Sequence, residues 1–202
     1  MTRTAQRQKK RPDDLKEACV LEARRIIDSD GIEALSMREV ARRLGVSHQA
    51  PYKHFQSRDH IIAEVVARAY KSFATELDSR PKTGDPLEDM ASLGPAYLDY
   101  ARRHPLEYKL MFETPLPDPS GHPDMLQQAR HSFDILRQSL QHLLPDRTDA
   151  EREYDALFVW AAIHGMASMT QSHVLGTLGL STKMRKAIEP ELLGRIDKAL
   201  DA

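Results

Sequence analysis

Leu35-Ser36-Met37-Arg38-Glu39-Val40-Ala41-Arg42-Arg43-Leu44-Gly45-Val46-Ser47 is the stretch whose reading decides the fold. Ser36 and Glu39 have capping-box spacing, in which the hydroxyl accepts a first-turn amide and the carboxylate reaches back to the cap. They open a short helix that ends at Leu44. Gly45 follows, and glycine alone enters the left-handed conformation of a helix end without a Cβ penalty. Val40, Leu44 and Val46 point inward, and Ala41 is small where the next helix crosses. Two helices crossing over so tight a turn form a helix-turn-helix, the unit that lays one helix in the major groove of DNA. Ser47 is placed to cap that next helix, expected to run to Phe55 before Gln56-Ser57 breaks it.

Outward from this stretch the pattern stays helical. Asp13 or Asp14 caps a first helix to about Ser29, and Asp30-Gly31 stops it. Cys19, the only cysteine, lies among Leu15, Ala18, Ala23, Ile26 and Ile27 at helical spacing, which predicts a buried thiol and excludes intrachain disulfides and multi-cysteine zinc sites. After Ser57 a long helix carries Ile61, Ile62, Val65, Val66, Ala69, Tyr70 and Phe73. Arg80 to Pro86 reads as a linker, and a helix then runs to His104, where Pro105 ends it. Leu106 to Phe112 makes a short helix. Residues 114–123 hold Pro115, Pro117, Pro119, Gly121 and Pro123 and read as a loop. Further helices span Asp124 to Leu144, a Thr148-Asp149-Ala150-Glu151 capping box to about Gly176, and Pro190 to the end. Aromatic content is 6%, period-2 alternation is missing, and the fold class is all-α.

Net charge is −1 but unevenly spread: residues 1–72 hold 15 Lys/Arg against 10 Asp/Glu, and the remainder holds 14 against 20. A basic head before an acidic body is the footprint of a phosphate-binding surface. Arg3, Arg7, Lys9, Lys10 and Arg11 form a basic tail over residues 1–12, read as phosphate-contacting or as simply solvated. No stretch approaches the roughly 18 apolar residues of a membrane span, and no apolar segment follows the charged N-terminus, so a cytoplasmic protein without membrane partners is expected.

Residues 15–66 resemble the DNA-binding domain of the TetR family of transcriptional regulators, on the stretch quoted above together with Ala50-Pro51-Tyr52-Lys53-His54-Phe55 and Ser57-Arg58-Asp59. The resemblance implies a three-helix DNA-binding domain over 13–59, followed by a helical bundle over 60–202 for effector binding and dimerisation. It implies a homodimer on duplex operator DNA. Contacts are expected from His48, Gln49, Ala50, Tyr52, Lys53 and His54 on the recognition helix, with Gln49 suited to adenine and Lys53 to phosphate or guanine. Ser36 and Arg38 at a helix N-terminus, and Arg58, suit phosphate. Ala50 stands where the family commonly has a hydroxyl, and Pro51 removes an amide from the recognition helix.

Trp160, His164 and Gly165 resemble the Trp-His-Gly mark of a subset of the family's C-terminal domains. Trp160 and His164 share a helix face and are either a core pair or pocket-lining. Tyr97, Met111, Phe133, Trp160 and His164 are the effector-binding candidates, with Tyr100, Tyr108 and Phe112 as aromatic neighbours that also fit a plain core. Leu157, Ala161, Gly165 and Ser168 on one helix, with Leu192, Leu193, Ile196 and Leu200 on the last, are the dimer candidates. The expected function is a repressor released by an unknown small, mostly apolar effector. A DNA-binding dimer regulated without a ligand stays open, and a helical enzyme is the remote alternative. Nine histidines are present, yet no His-Glu-x-x-His or Glu-x-x-His pair occurs, so no catalytic residue, metal site or cofactor is expected.

Overall fold

The computed structural model describes residues 12–200. The basic tail of residues 1–11 lies outside them. Every regular element among the described residues is helical: α1 (Pro12–Asp30), α2 (Met37–Leu44), α3 (Arg58–Ser79), α4 (Pro86–Ala91), α5 (Leu93–Arg103), α6 (Pro105–Phe112), α7 (Pro123–Leu143), α8 (Asp149–Gln171) and α9 (Thr182–Leu200). None of these helices is long and apolar enough to cross a membrane.

The helix ends follow local chemistry. Gly31 closes α1 with φ 84° and Gly45 closes α2 with φ 64°. Past Gly45, the Val46 amide donates to Ala41 O and the Gly45 amide to Arg42 O, the paired bonds of a Schellman end. Asp85 caps α4 by accepting the Leu87 and Glu88 amides. Thr148 and Glu151 form the full reciprocal capping box at α8.

Three expected elements come out differently. The single helix expected from Pro86 to His104 is broken at Ser92, because Pro95 has no amide to give Ala91. Ser92 turns its hydroxyl back to Asp89 O and accepts from Arg80 Nε. The helix before Gly176 ends earlier, at Gln171, and a 3-10 turn at Val174–Gly176 follows. The last helix starts at Thr182 rather than at Pro190, and Pro190 sits inside it.

The chain forms two compact units. The first runs to Ala67 and takes in Pro115–Met125; the second holds Arg68–Thr114 and the chain from Leu126 on. The division therefore falls within α3, and the proline-rich loop between α6 and α7 groups with the first unit. Cys19, Val20, Ala23, Ile26, Leu35, Val40, Ala41 and Phe55 are buried in the first unit. Tyr100, Tyr108, Leu110, Leu140 and Val159 are buried in the second.

Candidate nucleic-acid interface and internal cavity

In the first unit Ser36 Oγ accepts the Glu39 amide at 3.1 Å, half of the expected capping box. The Glu39 carboxylate does not return to the cap. It takes both guanidinium edges of Arg42, at 2.7 and 2.6 Å, and Arg43 Nε at 2.8 Å. Charge-assisted bonds to groups three and four residues on outcompete a neutral amide. They hold the Glu39 carboxyl down at about 2. Arg43 also bonds Asp30 at the end of α1, which ties α1 to α2.

The expected recognition helix from Ser47 to Phe55 is not an α-helix. Residues 47–50 form a turn and Pro51–Lys53 a single 3-10 turn. Pro51 cannot bond Ser47 O, so that carbonyl accepts the Ala50 amide instead at 2.9 Å, and Lys53 donates to Ala50 O at 3.3 Å. Ala50, not Ser47, is the cap, without a side-chain bond.

This turn presents His48, Gln49, Tyr52 and Lys53 to solvent, and α2 presents Ser36 and Arg38. Among the described residues, Arg38, His48, Gln49, Tyr52 and Lys53 make no side-chain hydrogen bond or ion pair. Ala50 is half-buried. His54, expected on the DNA face, is half-buried and lines a small cavity with Lys16, His60 and His122. Arg58, expected to contact phosphate, bonds the backbone of its own chain instead. Its Nε donates to Leu35 O at 2.9 Å and its Nη2 to Ile32 O at 2.6 Å. Leu35 O lies past the 3-10 turn and takes its donor from Arg58, while Ile32 O already accepts the Leu35 amide at 3.1 Å and gains Arg58 as a second donor.

Comparison with known proteins agrees with this geometry. Residues 20–65 match the model described as bacterial regulatory proteins, tetR family, and residues 90–189 match the tetracyclin repressor-like C-terminal domain. The chain belongs to the TetR family. It is 30% identical to the HTH-type transcriptional regulator Rv1816 of Mycobacterium tuberculosis over 112 residues, 54% of this chain and 48% of that protein. The match thus spans about half the length of that relative, and the same holds for HTH-type transcriptional regulator Mb1846 of Mycobacterium bovis. Among solved structures, the regulatory protein SCO4313 superposes with TM-score 0.72 at 25% identity, over 94% of this chain and 96% of the other. A tetR family transcription regulator from Shewanella sp. PV-4 shares the fold, with TM-score 0.68 at 18% identity over 91% and 96% of the two chains. The family is one of transcriptional regulators, not of enzymes.

The second unit of this TetR-family chain holds a cavity of about 440 Å³. Its wall includes Tyr70, Phe73, Tyr97, Phe112, Phe133 and Trp160, with Arg130, Asp134 and Arg137 among the polar lining. Of the effector candidates, Tyr97, Phe133 and Trp160 line it; Met111 and His164 do not. Met111 is buried, and its carbonyl accepts the Tyr70 hydroxyl at 2.9 Å. Tyr70, Phe73 and Arg130 were missed by sequence reasoning. Tyr70, Phe73 and Leu77 recur at i, i+3 and i+7 on α3, a signal that fits any buried face equally well.

His164 belongs to a hydrogen-bonded cluster instead. Its Nδ1 lies 2.7 Å from the Tyr108 hydroxyl and 3.1 Å from that of Tyr97. With Nδ1 as the unprotonated nitrogen, its one lone pair takes the nearer donor, Tyr108, and Tyr97 donates to the Tyr108 oxygen at 3.4 Å. This order requires a neutral imidazole. Burial supplies it by lowering the His164 pKa, and it pushes Tyr108 up to about 12.

The dimer candidates divide. Ile196 and Leu200 are buried inside the protomer, a correction to their expected interface role. A Cβ on Gly94 would collide with Leu193, so the missing side chain lets Leu193 of α9 approach α5 closely. Leu157 is exposed but also lines the cavity. Ala161 is exposed, while Gly165, Ser168 and Leu192 are half-buried. A Cβ at Gly165 would meet nothing within 4 Å.

Proposed function

We propose that this chain is a cytoplasmic transcriptional repressor that binds a two-fold symmetric operator as a homodimer and is released by a small, mostly apolar effector. The observation that carries it is the set of exposed polar side chains on the helix-turn-helix that have no partner among the described residues: Arg38, His48, Gln49, Tyr52 and Lys53. Fixed on a folded scaffold and unspent internally, they suit phosphates and base edges. Ser36, Arg38, Tyr52 and Lys53 contact the backbone, and Gln49 with His48 reads bases. Ala50 sits beside them. Arg58 shapes the segment preceding α2, and His54 is left out of the contact set.

Outward-facing apolar positions support dimerisation. Tyr154, Phe158, Ala161, Gly165 and Met169 recur along α8 at helical spacing, as do Met184, Ile188 and Leu192 along α9. Of these, Tyr154 is 74% exposed and Met184 56%. Paired with a second copy, they would form a four-helix interface. The cavity supports effector control. Helix α3 begins beside the recognition turn and carries Tyr70 and Phe73 of the cavity wall, so a shift in its tilt reaches both. A coupling of about 1–3 kcal/mol, roughly 5- to 150-fold in operator affinity, is typical of such a device.

Fluorescence anisotropy on labelled duplexes tests this reading. Gln49→Ala is expected to relax sequence preference. Lys53→Ala is expected to weaken all duplexes and to lower the salt slope by about one. Unchanged affinity and selectivity in both variants would refute it.

A further inference from the structure

We infer that the ligand of the cavity is an amphipathic organic anion, an apolar body carrying one acid group, with Arg130 on α7 as the residue that receives the acid. The inference rests on the effector reading above and adds the ligand's charge and orientation.

The charged groups in the cavity wall are Arg130, Asp134 and Arg137, and they are not equivalent. Arg137 is fully engaged: Nη1 donates to Asp134 at 2.8 Å, and Nε and Nη2 donate to Glu153 at 2.9 and 2.5 Å. Its guanidinium also lies 4.6 Å from the centre of the Phe133 ring. That pairing consumes the wall's one carboxylate. Arg130, one helical turn before Asp134 on α7, makes no hydrogen bond or ion pair among the described residues. A ligand entering the cavity therefore meets one unspent charge, and it is positive.

The rest of the wall excludes other choices. Six aromatic rings and the aliphatic side chains of Leu77, Leu93, Leu136 and Ile163 give a strongly hydrated molecule nothing to replace its water. Of the hydroxyls on those rings, that of Tyr70 donates to Met111 O and that of Tyr97 to the Tyr108 oxygen. A buried polar head would break such a bond without an equal return. The ligand's polar group is thus best placed at Arg130, where the side chain is exposed, with its apolar body among the rings. An organic cation would face Arg130 with like charge, and no free carboxylate in the wall would offset it.

Trp160 is the only tryptophan of the chain and lines the cavity, so intrinsic fluorescence reports occupancy directly. The test titrates the full-length protein with three probes sharing one body: 4-phenylbutyrate, 4-phenyl-1-butanol and 4-phenylbutylamine. The expected order of affinity is carboxylate, alcohol, amine. Arg130→Gln is expected to weaken the carboxylate about fivefold, the scale of one partly exposed ion pair, and to leave the alcohol within twofold. Arg130→Glu should invert the order so that the amine binds best. Equal affinity for carboxylate and alcohol in the unaltered protein would overturn the inference, as would a parallel loss of all three probes in Arg130→Gln. If no probe perturbs Trp160 at all, the effector cavity itself fails, and the inference falls with it. A preference for the alcohol or the amine would overturn the charge assignment while leaving the cavity reading in place.

Discussion

The two units of the molecule handle polar groups in opposite ways. In the first, Arg38, Gln49 and Lys53 are held outward without partners among the described residues, while Arg43 is spent on Glu39 and Asp30 and Arg58 on the backbone before α2. In the second, Tyr97, Tyr108 and His164 satisfy one another beside an apolar cavity, and among the described residues the wall cation Arg130 has no partner. The difference suits the two kinds of partner proposed. Phosphates come with their own charge and are met at a surface by unspent cations. An apolar molecule needs a dry space whose polar groups are already satisfied.

The largest effect that can break this comparison is expected from Tyr108→Ala. The side chain is fully buried and supplies the donor to His164, so its loss should cost about 3–5 kcal/mol. Hydrogen exchange should quicken in α5, α6 and α8 while α1 and α2 stay protected; equal acceleration everywhere would mean that the units are not separately stabilised. Arg58→Met is expected to cost about 1–3 kcal/mol in the opposite unit, since the Leu35 carbonyl loses its donor and the Ile32 carbonyl keeps only the Leu35 amide. Exchange should then quicken in α1 and α2, and the salt slope of operator binding should stay constant. A slope lower by about one would return Arg58 to the phosphate-contacting set.

A smaller effect sharpens the picture in the second unit. Burial lowers the His164 pKa, so below the ordinary value of 6.5 the unfolded chain takes up a proton that the folded chain resists. Stability from this group is complete above 6.5 and is lost as pH falls from there toward the lower folded value. Chemical denaturation as a function of pH should show this acid-side loss in the parent and not in His164→Gln; identical pH dependence would contradict a buried neutral imidazole. The smallest effect is expected on the exposed face of the first unit. Glu39 is held at about 2, against an ordinary 4.5, by Arg42 and Arg43. Its contribution is present above 4.5 and lost as pH falls through about 2, so the stability gap between parent and Glu39→Gln should close over that window. A gap that persists below pH 2 would show that the carboxylate charge is not its source.

The first unit was largely legible because its residues act locally. Ser36, Gly45 and the burial of Val40 and Ala41 follow from neighbours within a few positions. Legibility failed where competition decided the outcome. Glu39 had a choice between an amide and two guanidiniums, and Pro51 shortened a helix whose pattern otherwise ran on. Arg58 illustrates the other limit, since its partners at Leu35 and Ile32 are more than 20 positions away. The cavity was legible only in part for the same reason. Tyr97, Phe133 and Trp160 look no different in sequence from Tyr100 and Tyr108, which are wholly buried. Whether an aromatic residue borders a void depends on the arrangement of five helices, α3 and α5 to α8. Leu193, Ile196 and Leu200 were expected at a dimer face because nothing in their own helix reveals that Ile196 and Leu200 are buried inside the protomer, or that Leu193 packs against Gly94.

The central claim is that the exposed side chains of the first unit read a two-fold symmetric duplex, and selection from a random duplex library tests it most directly. The parent protein is expected to enrich an inverted repeat. Its half-sites should be spaced by roughly one or a multiple of one helical turn, and Gln49→Ala should lose preference at one position in each half. A library that comes through selection without a symmetric motif, or a Gln49→Ala variant that enriches the same sequence with the same strength, would contradict the account.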